Sequence, residues 1–362
     1  MKFKLDENVL VLEGKPRERG LTYGRTMKVK IWEVIKRLKY HIQRNSHRNP
    51  QELFDLFVDA TGFVDAVKKW APHLLDEVEG IGAGAGVDFN TIFALQCSDE
   101  HWLIQEYLEQ TSVEHCSALG CFKEGDRPAL LAQNLDVNNI FGGLDVVLHI
   151  KHPDSSLESL IFTYAGKISL CGLNNSPLGI CCNELTRSLN HCTDGLPEDF
   201  VVRAVLEQPS IDEASAFIRG IRHASGQNYM IGDEERVVSL ECSANKVSQY
   251  IPYEGARRVY HTNHPLANDD LIFPYEACIG GGTTHSRLRY LESRLKDSSK
   301  PLTVETIKYL LSSHEGPICV HHNHHAGEIY TFGSLIYSLS NPPELYVAVG
   351  PPCSNDYRKL SF

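Results

Sequence analysis

The 362-residue sequence predicts an α+β fold on antiparallel sheets, preceded by a mainly helical segment. Three observations predict it. Apolar residues recur at three- and four-residue spacing through residues 1–115. From residue 116 the pattern changes to short β-branched or alternating runs separated by Gly, Pro, Asn or Asp. Those runs come as neighbouring strands, then helices, then strands, unlike the strand–helix alternation of a doubly wound sheet.

In chain order, Val9 to Leu12 reads as a strand and Gly14 to Gly20 as a turn. Helical periodicity covers roughly 23–45, 51–71 and 91–109, with Pro50 and Pro72 marking boundaries. Strands are expected at 129–135, 146–150, 160–164, 168–173 and 178–183, followed by helices at 197–208 and 211–221. A second strand set covers 229–232, 237–241, 247–250 and 259–262. Helices at 285–295 and 303–312 come next, and strands at 329–332, 335–339 and 345–349 close the chain. The sharpest compositional boundary lies near 111–116. The chain divides there into a helical segment, 1–115, and a strand-rich core, 116–362.

Composition narrows the function classes. Apolar residues make up 42% and charged residues 22%, enough to bury a sizeable core. A net charge of −11 argues against a nucleic-acid surface, which needs clustered Lys and Arg. The basic stretch Lys28 to Lys39 has Ile31, Val34, Ile35 and Leu38 between its charges and reads as a solvated helix face. No apolar run approaches membrane-spanning length, and the opening MKFKLDENVLVLEG is broken by charges where a signal peptide is apolar. With an odd count of scattered cysteines, this predicts a cytoplasmic protein with mostly reduced, buried thiols.

Several motifs look chemical and are read otherwise. GIGAGAG at 80–86 resembles a phosphate loop but follows the helix-like run Leu74 to Glu79 instead of a buried strand, so it is expected to be a helix end and turn. GGGTTHSR at 280–287 lacks the Walker lysine. The HHNHH run, with His321, His322, His324 and His325, has no H-E-x-x-H or C-x-x-C beside it, so a solvated loop is expected and metal binding is the minority reading. No G-x-S-x-G elbow is present. Neither cofactor nor metal is expected.

What remains is the boundary itself, Glu114-His115-Cys116-Ser117-Ala118-Leu119-Gly120-Cys121, followed by the tetrad Gln133-Asn134-Leu135-Asp136. A lone cysteine there would read as a buried thiol. The surrounding blocks alter that. Gly14-Lys-Pro-Arg-Glu-Arg-Gly-Leu-Thr-Tyr-Gly24, the Glu77 to Val87 block, Asn183 to Arg203, Ser225 to Asp233, His261-Thr-Asn-His-Pro265 and Gly350-Pro-Pro-Cys353 resemble, in order and spacing, the acyl-coenzyme A:isopenicillin N acyltransferase family. This is a family of N-terminal nucleophile (Ntn) hydrolases related to choloylglycine hydrolases and penicillin V acylases.

The resemblance implies a four-layer αββα sandwich of two antiparallel sheets, synthesised as an inactive precursor. It implies self-cleavage between His115 and Cys116, which frees a cysteine whose α-amine, titrating near about 8, can serve as base to its own thiol. It implies that Asp136 orients the amine, that Asn263 donates to the oxyanion (typically worth about 3 kcal/mol), that Asn174 is a second such asparagine, and that Arg287 neutralises charge around the nucleophile. Cys121 is the rival nucleophile, but lies too near the tetrad. The expected substrate is a small molecule with a linear non-peptide C–N amide bond: an N-acyl amino acid, a bile-salt-like conjugate or a penicillin. Acyl transfer to an amine or thiol acceptor uses the same thioester. His115, where relatives often have a small residue, and Val320, where some have Arg, keep open an uncut, catalytically silent binding protein. Oligomeric state is not legible.

Overall fold

The computed structural model describes residues 9–46, 48–100, 116–153, 155–273, 283–297, 299–321 and 329–362. In chain order these form β1 (Val9–Leu12), α1 (Pro16–Thr26), α2 (Lys28–Ser46), α3 (Pro50–Asp59), α4 (Phe63–Trp70), α5 (Pro72–Ala85) and α6 (Phe89–Leu95). Then come β2 (Ser117–Cys121), β3 (Leu130–Asn138), β4 (Asp145–Lys151), β5 (Glu158–Tyr164), β6 (Cys171–Asn174) and β7 (Gly179–Glu184). After α7 (Glu198–Val205) and α8 (Ile211–Gly220) follow β8 (Gln227–Gly232), β9 (Val237–Cys242), β10 (Val247–Tyr250) and β11 (Arg258–His261). The chain ends with α9 (Thr284–Leu295), α10 (Val304–Leu311), β12 (Ile329–Ser338), β13 (Glu344–Val349) and β14 (Arg358–Leu360).

The strands build two sheets, ordered β1-β4-β5-β6-β7-β8-β9-β10 and β11-β2-β3-β12-β13-β14. The sheets face each other through β2 and β3 on one side and β7 and β8 on the other. Helices α7 and α8 cover the first sheet, and α9 and α10 cover the second. The layer order is therefore αββα, as expected. Alternation along β3 shows why both its faces are apolar. Leu131, Leu135 and Val137 enter the inter-sheet core, while Leu130 and Ala132 join Tyr290, Leu291, Leu295, Ile307 and Leu310 under the helices. Among the described residues no helix is long and apolar enough to cross a membrane, and no disulfide forms.

The structure differs from the sequence expectations in five places. The turn expected at Gly14 to Gly20 is mostly helix: α1 starts at Pro16, a residue suited to a first helical position, and Glu18 accepts from the Lys15 N–H at 3.3 Å. The helix expected over 51–71 breaks into α3 and α4, and the Gly62 N–H there leaves for the Thr193 carbonyl at 2.6 Å. β1 joins its sheet parallel to β4, the exception in otherwise antiparallel ladders. The last two-part strand is one strand, β12, with a bulge between Thr331 and Gly333. β14, unmarked by any alternation, adds to β13. Of the helix expected over 91–109, the part beyond residue 100 lies outside the described residues.

The glycine-rich stretch is a packing device. GIGAGAG runs through the end of α5 and stops at Gly86, whose φ of +74° suits glycine. The α1 glycines Gly20 and Gly24 and the α5 glycines Gly80 and Gly84 let the two helix backbones touch. A Cβ on Gly20 would overlap the Glu77 carbonyl oxygen, and one on Gly24 the Ile81 carbonyl oxygen. Gly24→Val should therefore destabilise the protein by about 1–3 kcal/mol or more, as overpacking does. Gly220→Ala, which meets nothing within 4 Å, should change stability by less than about 0.5 kcal/mol. Urea denaturation of the two variants checks this; equal effects would sink the close-packing account.

Candidate active site

Cys116 stands immediately before β2, with 3% of its surface exposed and its Sγ 3.9 Å from the Asp136 carbonyl oxygen. β2 pairs with β3 from Ser117↔Asn134 onward, which sets the cysteine beside the end of the tetrad. The buried Arg287 reaches it from the first turn of α9. Its Nη1 donates to the Cys116 carbonyl oxygen at 2.6 Å and the Ser117 hydroxyl at 2.9 Å. Its Nη2 donates to Asn263 Oδ1 at 2.9 Å, and its Nε to Thr283 Oγ1 at 3.0 Å. Burial pulls the guanidinium down to about 10, against the opposing charges of Asp136 and Cys116.

Asn263 is fixed from three sides. Arg287 holds its oxygen, its backbone N–H donates to Thr284 Oγ1 at 2.9 Å, and its Nδ2 donates to the Glu184 carbonyl at 3.1 Å. The loop behind it is anchored on Glu241, which accepts from the backbone N–H groups of Leu266, Ala267 and Asn268 at 2.7, 3.0 and 2.7 Å. His261 Nε2 lies 2.8 Å from the same carboxylate.

Asp136 is fully buried on the helix-facing side of β3, and among the described residues neither of its carboxylate oxygens has a donor in hydrogen-bonding geometry. Burial pushes its carboxyl up to about 7; the Thr331 hydroxyl across the β3–β12 ladder and the Arg287 charge draw it partly back.

The structure thus brings Cys116, Asp136, Asn263 and Arg287 together and leaves Asn174 apart. The Asn174 amide closes the turn after β6: its Nδ2 donates to the Leu206 and Gln208 carbonyls, both at 3.0 Å, and its Oδ1 accepts from the Ser176 and Leu178 N–H groups. All four hydrogen-bonding positions of that amide are taken. Asn183 instead carries a buried Nδ2 with no acceptor among the described residues. Cys121, the rival nucleophile, ends β2 in an apolar cluster, where burial pushes its thiol up to about 11. His115 lies outside the described residues.

A narrow cleft opens beside Cys116, lined by Ser98, Asp99, Cys182, Glu184 and Glu198 with an apolar side that includes Leu135 and Tyr164. Its acids went unmarked in the sequence. Glu100 Oε1 accepts from the Glu198 N–H at 2.9 Å and Ser225 Oγ at 2.7 Å, and Asp199 pairs with the buried Lys167 at 2.9 Å. Burial and the Asp99 charge push Glu100 up to about 8 and Glu184 up to about 7. In sequence, Glu198-Asp199 is an ordinary acidic first turn and Asp99-Glu100 falls inside a helical pattern; only folding makes them converge. Among the described residues, the group of His and Cys donors able to hold a metal, His314, Cys319, His321 and Cys353, is not part of this cleft.

The model of the acyl-coenzyme A:6-aminopenicillanic acid acyl-transferase family matches residues 122–349, well over half of the chain. The protein belongs to this family. The matched segment contains Asp136, Asn263 and Arg287, and Cys116 lies just before it. A variant of conjugated bile acid hydrolase from Clostridium perfringens superposes with a TM-score of 0.49 at 11% identity, over 68% of this chain and 92% of that one. A second variant of the same enzyme gives 0.45 at 11% identity over 68% and 97%. Penicillin V acylase from Agrobacterium tumefaciens gives 0.40 at 12% identity over 68% and 86%. Comparison with curated protein sequences gave no significant match.

The buried carboxyl offers a direct test. Unfolded, Asp136 ionises near about 3.9. Folded, it keeps its proton up to about 7. Its contribution to stability therefore falls as pH rises between those values and is lowest above them. In a Cys116→Ala background, Asp136→Asn should leave stability nearly unchanged at about pH 4 and raise it at about pH 8, by up to roughly 4 kcal/mol. Urea melts at the two pH values check this; equal destabilisation at both would contradict it.

Proposed function

We propose that this acyltransferase-family protein is a self-processing cysteine Ntn enzyme that cleaves a C–N amide bond through a thioester on Cys116. The observation that carries the proposal is the Arg287 bridge, which ties the Cys116 carbonyl to the side chain of Asn263 in a buried site. In the precursor the Cys116 thiol attacks the His115 carbonyl carbon. The His115–Cys116 C–N bond breaks as the C–S bond forms, and the nitrogen takes up the thiol proton. Water then hydrolyses the thioester, leaving a carboxylate on His115 and a free α-amine on Cys116.

In turnover that amine removes the thiol proton, the thiolate attacks the substrate carbonyl, and the oxyanion accepts from the Nδ2 of Asn263. The ammonium protonates the leaving amine, and the acyl group stays on sulfur until water or an acceptor amine or thiol removes it. Asp136, beside an ammonium, becomes a stabilised carboxylate that orients it. Arg287 is a positioning residue. Asn183, a buried donor on β7 next to the cleft residues Cys182 and Glu184, fits the second-asparagine role better than Asn174 does. The thiols among the described residues, none of them joined in a disulfide, suit a reducing, cytoplasmic setting.

The cleft's carboxyl groups add a preference. A neutral or cationic small-molecule amide fits beside Asp99, Glu184 and Glu198 better than a carboxylate-bearing one. Between matched N-acyl substrates with an amine or a carboxylate on the leaving group, kcat/KM at about pH 8, where Glu184 carries its charge, should favour the amine by about tenfold. The opposite order would remove the acids from substrate selection.

Intact mass after incubation at neutral pH tests the core of the proposal. Two fragments, 1–115 and 116–362, absent from Cys116→Ala, are expected. They should stay together in native gel filtration, because β1 pairs with β4 and the buried Glu77 pairs with Arg203 across the cut. Analysis of the acyl product with and without an added acceptor amine or thiol separates hydrolysis from transfer, since both pass through the same thioester. A chain that stays uncut in both samples would favour the silent binding protein, and a cut before Cys121 would replace the nucleophile.

A further inference from the structure

We propose that His314, Cys319, His321 and Cys353 form a closed structural zinc site that staples two loops behind the Asp136 strand pair. The four ligand atoms lie within 4.8 Å of one another. His321 Nε2 is 3.2 Å from His314 Nε2, 3.0 Å from Cys353 Sγ and 3.9 Å from Cys319 Sγ. A tetrahedral zinc with Zn–S near about 2.3 Å and Zn–N near about 2.0–2.1 Å needs its donors about 3.3–3.8 Å apart. The cluster has nearly that spacing. Hydrogen bonding does not account for it, because one imidazole nitrogen offers a single donor or acceptor position and here faces three groups. A disulfide between the cysteines would account for the sulfurs and leave the imidazoles converging on nothing.

The backbone builds the site from two loops, the one between α10 and β12 and the one between β13 and β14. His314 follows α10. The Cys319 N–H bonds the Ser313 carbonyl at 3.0 Å and so folds Cys319 back beside His314. Val320, between two of the ligands, is clasped to β12: its N–H donates to Thr331 Oγ1 and its carbonyl accepts from the Thr331 N–H, both at 3.0 Å. Cys353 arrives through the turn after β13. Gly350, at φ +85°, donates to the Phe332 carbonyl at 2.8 Å, and Ser354 N–H closes on the Pro351 carbonyl at 3.1 Å. Cys319 is buried and the other three ligands are exposed, so the ion has a route in from solvent.

The donor set selects the metal. Two thiolates and two neutral imidazoles suit zinc, whereas calcium and magnesium take oxygen. Binding displaces the two thiol protons to solvent, and the thiolates neutralise the dication. Four protein ligands leave no open position, so the ion is structural. Its effect on the catalytic cluster is positional, because Val320 grips Thr331 and Thr331 pairs with Asp136 across the β3–β12 ladder. One histidine of the HHNHH run is a ligand, with partners 7, 2 and 32 positions away in sequence. His322, His324 and His325 lie outside the described residues.

The test is metal content of untagged, full-length protein from zinc-supplemented growth, measured by mass spectrometry after gel filtration with a weak chelator. About one zinc per chain is expected, falling at least tenfold in Cys353→Ser and in His314→Ala, both at exposed positions. A strong chelator should lower the melting temperature of the parent chain and not that of Cys353→Ser. Sub-stoichiometric zinc in the parent chain after loading, with Cys319 and Cys353 found as free thiols or joined to each other, would overturn the site. So would full retention of zinc in both variants. Repeating the measurement on Cys116→Ala keeps the result independent of processing, since that variant should hold the same zinc.

Discussion

A single buried guanidinium holds the candidate site together. Arg287 has no exposed surface, and a charge in that position is tolerated only when its donors are matched. Its donors go to the Cys116 carbonyl, the Ser117 hydroxyl, the Asn263 side chain and Thr283. It therefore ties the start of β2, the loop after β11 and the first turn of α9 into one unit. It also supplies the positive charge that keeps Asp136 from rising further. A substitution there would leave a buried carboxyl without its counter-charge and an asparagine free to turn, so the site and local stability are coupled through one side chain.

The N-terminal segment belongs to the same body. Glu77 on α5 takes two contacts from Arg19, at 2.7 and 2.6 Å, and one from Arg203 on α7 at 3.4 Å, all buried. Gln96 bonds the Gly166 carbonyl at 2.9 Å and the Ile168 N–H at 2.9 Å, and Tyr23 accepts from the Gly166 N–H at 2.8 Å. These contacts join residues before 116 to residues after it. A break in the chain between them would leave this packing intact.

The two sides of the cluster have different tasks. On the cleft side, burial pushes the carboxyls of Glu184 and Glu198 beside the thiol above the usual carboxylate range. On the other side, the β3–β12 ladder and its bulge set the height of Asp136, and the clasp on Thr331 carries rigidity in from the surface loops.

The sequence by itself determined the layer pattern, because periods of 2 and 3.6 residues survive in any context that buries one face. The strands from 129 to 183 and from 229 to 262 fall close to where alternation places them. The blocks around Cys116, Asp136, Asn263 and Arg287 were legible because their residue types and order resemble a known family. Three things were decided only by tertiary structure. Asn174 became a turn residue because Leu206 and Gln208 accept its amide protons. The acids of the cleft met, and the Cys and His donors of two loops converged. The reason is the same in each case: periodicity records which face of an element is buried, and the partner it meets lies tens of residues away, where no local pattern can specify it.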